Sequence, residues 1–176
     1  MKRIGLLLLC CCLVLSVAAL AEEAAKPDIN ENGMPLMPDF TLTSASGEEI
    51  TLSDFEGRQI VLYFWATWCP TCVQGMPDKQ ALHDWMLEND FPGEVWAVNL
   101  TDGIRETRNT CDAFLERNGY TMPVLYDEGG KVFQYAQSRY IPVTMVIDEA
   151  GYQKSWVIGA QPMEEIIAIL LEEEDT

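Results

Sequence analysis

From Ile60 to Ala66 the chain reads Ile-Val-Leu-Tyr-Phe-Trp-Ala, an apolar run without a charge. A run this short and this apolar has no solvent face, so it predicts a central β-strand covered on both sides. The rest of the fold must supply that cover. A second such run, Val95-Trp96-Ala97-Val98-Asn99-Leu100, reads as a neighbouring strand. Between them Pro70 suits the first turn of a helix, where its missing N–H leaves no bond unmade, and the helix is expected to continue to about Glu88 with a kink at Pro77.

The remaining elements follow the same reasoning. Phe40 to Leu42 and Glu49 to Leu52, separated by Ser46-Gly47, predict a short N-terminal β-hairpin. A helix is expected near Glu106 to Asn118, a strand over Val124 to Tyr126 and a short helix over Val132 to Ser138. Val143 to Ile147 and Lys154 to Ile158, turning at Glu149-Ala150-Gly151, read as a closing hairpin. Ile166, Ile167, Leu170 and Leu171 give a last helix one apolar face, and Glu172 to Thr176 is expected to fray. Alternating strands and helices define an α/β fold: a three-layer α/β/α sandwich around a central mixed β-sheet, with helices expected on both faces.

The start of the chain reads as an address. Lys2 and Arg3 precede an apolar run from Ile4 to Ala21 that ends in small residues, the pattern of a signal peptide over residues 1–21 with cleavage after Ala21. Its length also leaves open an uncut N-terminal anchor. Cys10, Cys11 and Cys12 sit inside this run, but Leu9 stands where a lipidation site needs a small residue, so they read as apolar filler. Residues 22–37, rich in Ala, Glu, Asn and Pro, read as a flexible linker to a single domain over 38–176. Lys and Arg number 11 against 28 Asp and Glu, a formal charge of −17 that becomes −19 once Lys2 and Arg3 leave with the leader. Such a surface repels nucleic acid and anionic lipid, which excludes both as partners apart from a membrane held through an uncleaved leader.

Immediately after the first central strand comes Cys69-Pro70-Thr71-Cys72. Two sulfurs three residues apart on one helical turn can close into a disulfide and reopen with little backbone movement. The free N–H groups and positive dipole end of the first turn favour the thiolate of Cys69, which is the attacking species. The same spacing occurs in zinc clips and inert disulfides. The lone His83, eleven residues beyond Cys72, lies roughly 16 Å along a continuous helix and cannot share a metal with the pair. Three cysteines outside the leader are too few for a disulfide framework, and Cys111 reads as a small buried apolar residue. His83 reads as a packing or surface residue, and Trp85, Met86, Trp96 and Met145 as core. No glycine-rich phosphate loop or nucleophile elbow is present.

The stretches Met37-Pro38-Asp39-Phe40-Thr41-Leu42, Leu52 to Arg58, and Phe64-Trp65-Ala66-Thr67-Trp68-Cys69-Pro70-Thr71-Cys72 together resemble, in order and spacing, the exported thioredoxin-like family called TlpA-like or ResA-like. Pro77 matches the family's helix-kinking proline, and Tyr140-Ile141-Pro142-Val143-Thr144 resembles its cis-proline loop. The resemblance covers about Pro38 to Glu172. It implies a thioredoxin-like fold and a thiol:disulfide oxidoreductase acting outside the cytoplasm, in the periplasm or cell envelope. It implies that Cys69 forms a mixed disulfide with a partner and that Cys72 resolves it. Trp68, Pro70 and Thr71 would border the sulfurs, and the backbone of Ile141 beside a cis Pro142 would pair with an extended substrate strand.

No bound cofactor or metal is implied beyond the Cys69–Cys72 disulfide itself. The implied partners are exported proteins with cysteine pairs and an upstream membrane electron donor or acceptor. Two positions depart from the pattern: many relatives carry Glu where this chain has Gly75, and thioredoxins proper carry a buried Asp where it has Tyr63. Either carboxylate would accept the proton of the resolving thiol, so that step is left without an obvious group; water or a partner's acid could serve, and Gly75 could admit another chain. A metal-delivery module holding copper through the same pair is the alternative, which the missing nearby His or Met disfavours. A thiol peroxidase would need threonine and proline where Ala66 and Leu62 stand.

Overall fold

The computed structural model describes residues 28–172. The leader with Cys10 to Cys12, the first part of the expected linker and the end of the acidic tail lie outside them. One seven-stranded sheet runs through the molecule in the order β2-β1-β5-β4-β3-β6-β7. The strands are β1 (Thr41–Ser44), β2 (Glu49–Thr51), β3 (Gln59–Trp65), β4 (Gly93–Asn99), β5 (Val124–Tyr126), β6 (Val143–Ile147) and β7 (Gln153–Ile158). The helices are α1 (Pro70–Glu88), α2 (Arg108–Asn118) and α3 (Met163–Leu171). β3, β4 and β5 are parallel, whereas β1–β2, β1–β5, β3–β6 and β6–β7 are antiparallel. This is the mixed sheet with terminal hairpins that the pattern predicts.

β3 is buried along its whole length, which its composition demands. Its alternate residues feed different layers. Val61, Tyr63 and Trp65 face all three α-helices, packing with Met76, Leu82 and Met86 of α1, Cys111 and Phe114 of α2, and Ile166 and Leu170 of α3. Ile60, Leu62 and Phe64 face the opposite layer, with Met37, Leu52, Val132 and Ala136. That opposite layer contains no α-helix among the described residues. It is built from the chain around Met37 and two 3-10 turns, Leu52–Phe55 and Phe133–Ala136, the second standing where the sequence predicts a helix over Val132 to Ser138. The crossovers β3–α1–β4 and β4–α2–β5 step the same way across the sheet, and right-handed crossovers then place both helices on one face.

Local chemistry sets the boundaries. Thr107 accepts a hydrogen bond from the Thr110 N–H at 3.2 Å and caps α2, so the helix starts at Arg108 and Glu106 falls outside it, two residues later than expected. Gly119 closes α2 in the left-handed conformation, at φ 70°. Residues 28–37 fold onto the domain. The Asn30 side chain accepts from the N–H groups of Asn32 and Met34, the Met37 N–H donates to the Gly151 carbonyl at 2.9 Å, and the Met37 side chain is buried.

Candidate active site

The C-terminal end of β3 delivers the chain into the site. Cys69 has extended backbone and caps α1: its sulfur accepts from the Cys72 N–H at 3.2 Å, and Pro70 takes the first helical position. Cys69 and Cys72 are joined as a disulfide, with Cα atoms 5.2 Å apart. Cys69 is 5% exposed and Cys72 0%, so a partner can approach Cys69 alone. The Cys69 sulfur lies 3.4 Å from the Thr71 hydroxyl and 3.7 Å from the Ile141 carbonyl oxygen. The Ile141–Pro142 peptide is cis, and the exposed Tyr140 precedes it. The structure thus gathers Cys69, Thr71, Cys72, Ile141 and Pro142 at one spot. Pro70 is exposed beside it, and Trp68 is 40% exposed at the rim.

Several groups that hold this site escaped the sequence reading. Glu106 is wholly buried. One of its carboxylate oxygens accepts from the Thr67 N–H at 3.1 Å and the Thr67 hydroxyl at 2.7 Å, and the other from the Asn99 side-chain amide at 2.8 Å. It ties the turn Thr67-Trp68 to the end of β4. Asp102 gathers the N–H groups of Ile104, Arg105 and Glu106, and those bonds, the one from Glu106 foremost, hold its carboxyl below the usual carboxylate range. The loop so formed projects Ile104, 93% exposed, and lays the Arg105 guanidinium 3.9 Å from the centre of the Trp68 ring. Thr101-Asp102-Gly103 is a legible turn, and the Thr107 cap would have released Glu106 from the predicted helix.

Beneath the disulfide, the two departures from the family pattern prove to be one feature. The Tyr63 hydroxyl donates to the Cys72 carbonyl at 2.8 Å, and burial pushes its ionisation well above the ordinary phenol range. A Cβ placed on Gly75 would stand 2.6 Å from that hydroxyl and 2.8 Å from the Ala160 Cβ. Tyr63 and Ala160 therefore fill the space that a side chain at 75 needs, and the close packing that glycine permits is internal. Lys79, 0% exposed, sets its ammonium 4.8 Å from the centre of the Tyr63 ring. Cys111 is free and buried, and burial, then the charges of Glu106 and Asp112, push its thiol up, away from reactivity. His83 is half-buried on α1 and away from the sulfurs. No group of three or more His, Cys, Asp or Glu among the described residues is arranged to hold a metal ion.

A helix-capping Cys-Pro-Thr-Cys disulfide facing a cis-proline loop on a mixed sheet defines a thioredoxin-like protein whose cysteine pair presents one sulfur, that of Cys69, at the surface. Residues 35–152 match the AhpC/TSA family. The thiol-disulfide oxidoreductase ResA of Geobacillus kaustophilus is 33% identical over 129 residues, 73% of this chain and 71% of that protein. Among solved structures, the exposed lipoprotein thioredoxin of Streptococcus pneumoniae superposes with a TM-score of 0.66 at 26% identity, covering 76% of this chain and 98% of that one. A secreted thiol-disulfide isomerase from Corynebacterium glutamicum shares the fold at a TM-score of 0.70 and 24% identity, over 86% of this chain and 94% of that one. The chain belongs to the AhpC/TSA family of thioredoxin-like proteins and, with its ResA-type relatives, is a thiol-disulfide oxidoreductase.

Proposed function

We propose that this oxidoreductase works outside the cytoplasm, exchanging electrons with cysteine pairs of exported proteins through Cys69 and Cys72. The Cys69 thiolate attacks a partner disulfide. One sulfur–sulfur bond forms, the partner's own breaks, and one partner sulfur leaves as a thiolate. Cys72 then attacks Cys69, closing the internal disulfide and expelling the second partner sulfur. Two electrons pass to the partner, and its two thiolates take up the two protons the enzyme's dithiol has lost. The reverse sequence oxidises a partner dithiol.

The observation that carries this reading is the position of the disulfide. Cys69 stands at the helix start, where dipole and N–H groups favour its thiolate, and its sulfur faces the Ile141 carbonyl, while Cys72 lies behind it. An extended partner segment would pair with the free backbone of Ile141 beside cis Pro142, with Pro70, Thr71 and the Trp68 ring forming the wall around the sulfur. The basic and apolar leader supports the location, as does the likeness to proteins described as secreted and as an exposed lipoprotein. A membrane protein upstream would restore the dithiol.

Trapping with a disulfide-containing protein tests the reading. Cys72→Ser accumulates a mixed disulfide through Cys69, and Cys69→Ser accumulates none and loses insulin reduction. A mixed disulfide that accumulates as readily in Cys69→Ser as in Cys72→Ser would rule the mechanism out.

A further inference from the structure

Lys79 is costly to bury on packing grounds alone. It is fully buried, its ammonium donates to the Gln161 carbonyl at 2.5 Å, and no carboxylate among the described residues lies within ion-pair distance of it. A buried cation without an anion is strongly penalised, and a methionine would fill the same volume without that penalty. A second buried charge arises only during turnover. When Cys72 attacks, its sulfur must become a thiolate at a position with no solvent exposure. Cys72 and Lys79 lie seven residues apart, two turns along the buried face of α1, which separates their Cα atoms by roughly 10 Å along the axis. Between them stands Tyr63, whose hydroxyl bonds the Cys72 carbonyl and whose ring lies under the ammonium. Gly75 keeps that space clear.

Resting on the oxidoreductase reading above, we propose that Lys79, seated on the Tyr63 ring, is a positioning residue that supplies the counter-charge for the buried Cys72 thiolate and so sets the rate at which the mixed disulfide is resolved. The cation acts through space and takes no part in bond making. At an effective dielectric constant of about 20, one charge at this distance shifts an ionisation equilibrium on the order of tenfold. Burial lowers the Lys79 ammonium to about 8, partly opposed by Asp78, so the counter-charge is present at neutral pH and is lost in mildly alkaline solution. The titratable groups facing the pair among the described residues are Asp78 on α1 itself, Tyr63 on β3, Tyr120 in the loop after α2 and the Cys111 thiol of α2, which shares the buried cluster of Tyr63 and Cys72. Burial pushes the Tyr63 hydroxyl and the Cys111 thiol up, so both stay neutral across the range tested. The segment before α3 presents the Gln161 carbonyl.

The test is the release of 5-thio-2-nitrobenzoate from Cys69 of the otherwise reduced protein, recorded by stopped flow between pH 6 and 10. Lys79→Met is expected to resolve about tenfold more slowly than wild type at pH 7, with the rate ratio closing toward one above pH 9. Its rate profile should also move about one pH unit to the alkaline side. Lys79→Arg, which keeps the charge, is expected to retain the wild-type rate at pH 7. Lys79→Gln replaces the methionine variant if that protein does not fold. A folded neutral variant with the wild-type profile, or a deficit constant across pH, overturns the proposal. So does a folded arginine variant as slow as the neutral ones. Complete absence of thiol release in wild type would instead defeat the exchange mechanism itself.

Discussion

At the scale of single residues, the site is held by buried polar groups whose partners are specific. Glu106 uses both oxygens as acceptors, so a glutamine there must aim its NH2 group at another donor, either Thr67 or Asn99. Glu106→Gln is expected to lose about 1–3 kcal/mol in denaturant unfolding and to slow exchange by loosening the Thr67-Trp68-Cys69 turn. Gly75→Ala gains up to about 1 kcal/mol of helix propensity but meets two groups below 3.0 Å, one of them a bonded hydroxyl. The overlap wins, and the variant is expected to be about 1–2 kcal/mol less stable, with part of that recovered when Tyr63→Phe is added. Lys79 has the opposite sign. Its folded value of about 8 lies below its ordinary 10.5, so the unfolded chain binds more protons between those limits and stability rises with pH there. In the oxidised protein, the stability of wild type relative to Lys79→Met is expected to improve by about 3 kcal/mol between pH 7 and 10.5, read from paired unfolding curves.

At the scale of elements, the central ones were legible because local chemistry and burial agree. β3 is an apolar run that the structure buries completely, and α1 spans Pro70–Glu88 as its N-terminal proline and length predict. The second cover layer was not legible. Val132 to Ser138 has the composition of a helix, but Asp127 accepts from the N–H groups of Val132 and Phe133, and Gln137 turns left-handed at φ 48°, which leaves room only for a 3-10 turn. The buried carboxylate was hidden for a similar reason. Glu106 is bonded to Thr67, 39 positions away, and nothing in its own neighbourhood announces that contact. The linkage of Tyr63 to Gly75 is likewise visible only once strand and helix are packed. Cover elements still matter energetically. The Phe55 ring meets Trp96 edge-on at 4.9 Å between centroids, and Phe55→Ala is expected to lower stability by about 2–3 kcal/mol in thermal unfolding without changing Cys69 reactivity.

At the scale of the whole molecule, two fields of opposite sign meet at the exchange site. The chain carries a formal charge of −17, yet Arg105 lies over Trp68 and the exposed Arg139 precedes Ile141 by two residues. At about 0.01 M salt the screening length is roughly 30 Å and the global charge dominates, whereas at about 0.15 M it is roughly 8 Å and the local arginines count most. Cysteine peptides of positive charge are expected to react faster than negative ones at low salt, with the preference shrinking or inverting at physiological salt in stopped-flow rates. The central claim is that the Cys69–Cys72 pair cycles between dithiol and disulfide in the folded protein. Equilibration in graded thiol–disulfide buffers, with the two states counted by mass after alkylation, tests it directly. The account predicts one reversible two-electron transition with a midpoint between about −270 and −120 mV while the fold stays intact. A pair that remains oxidised below about −300 mV until the protein unfolds would behave as a structural disulfide and contradict the account.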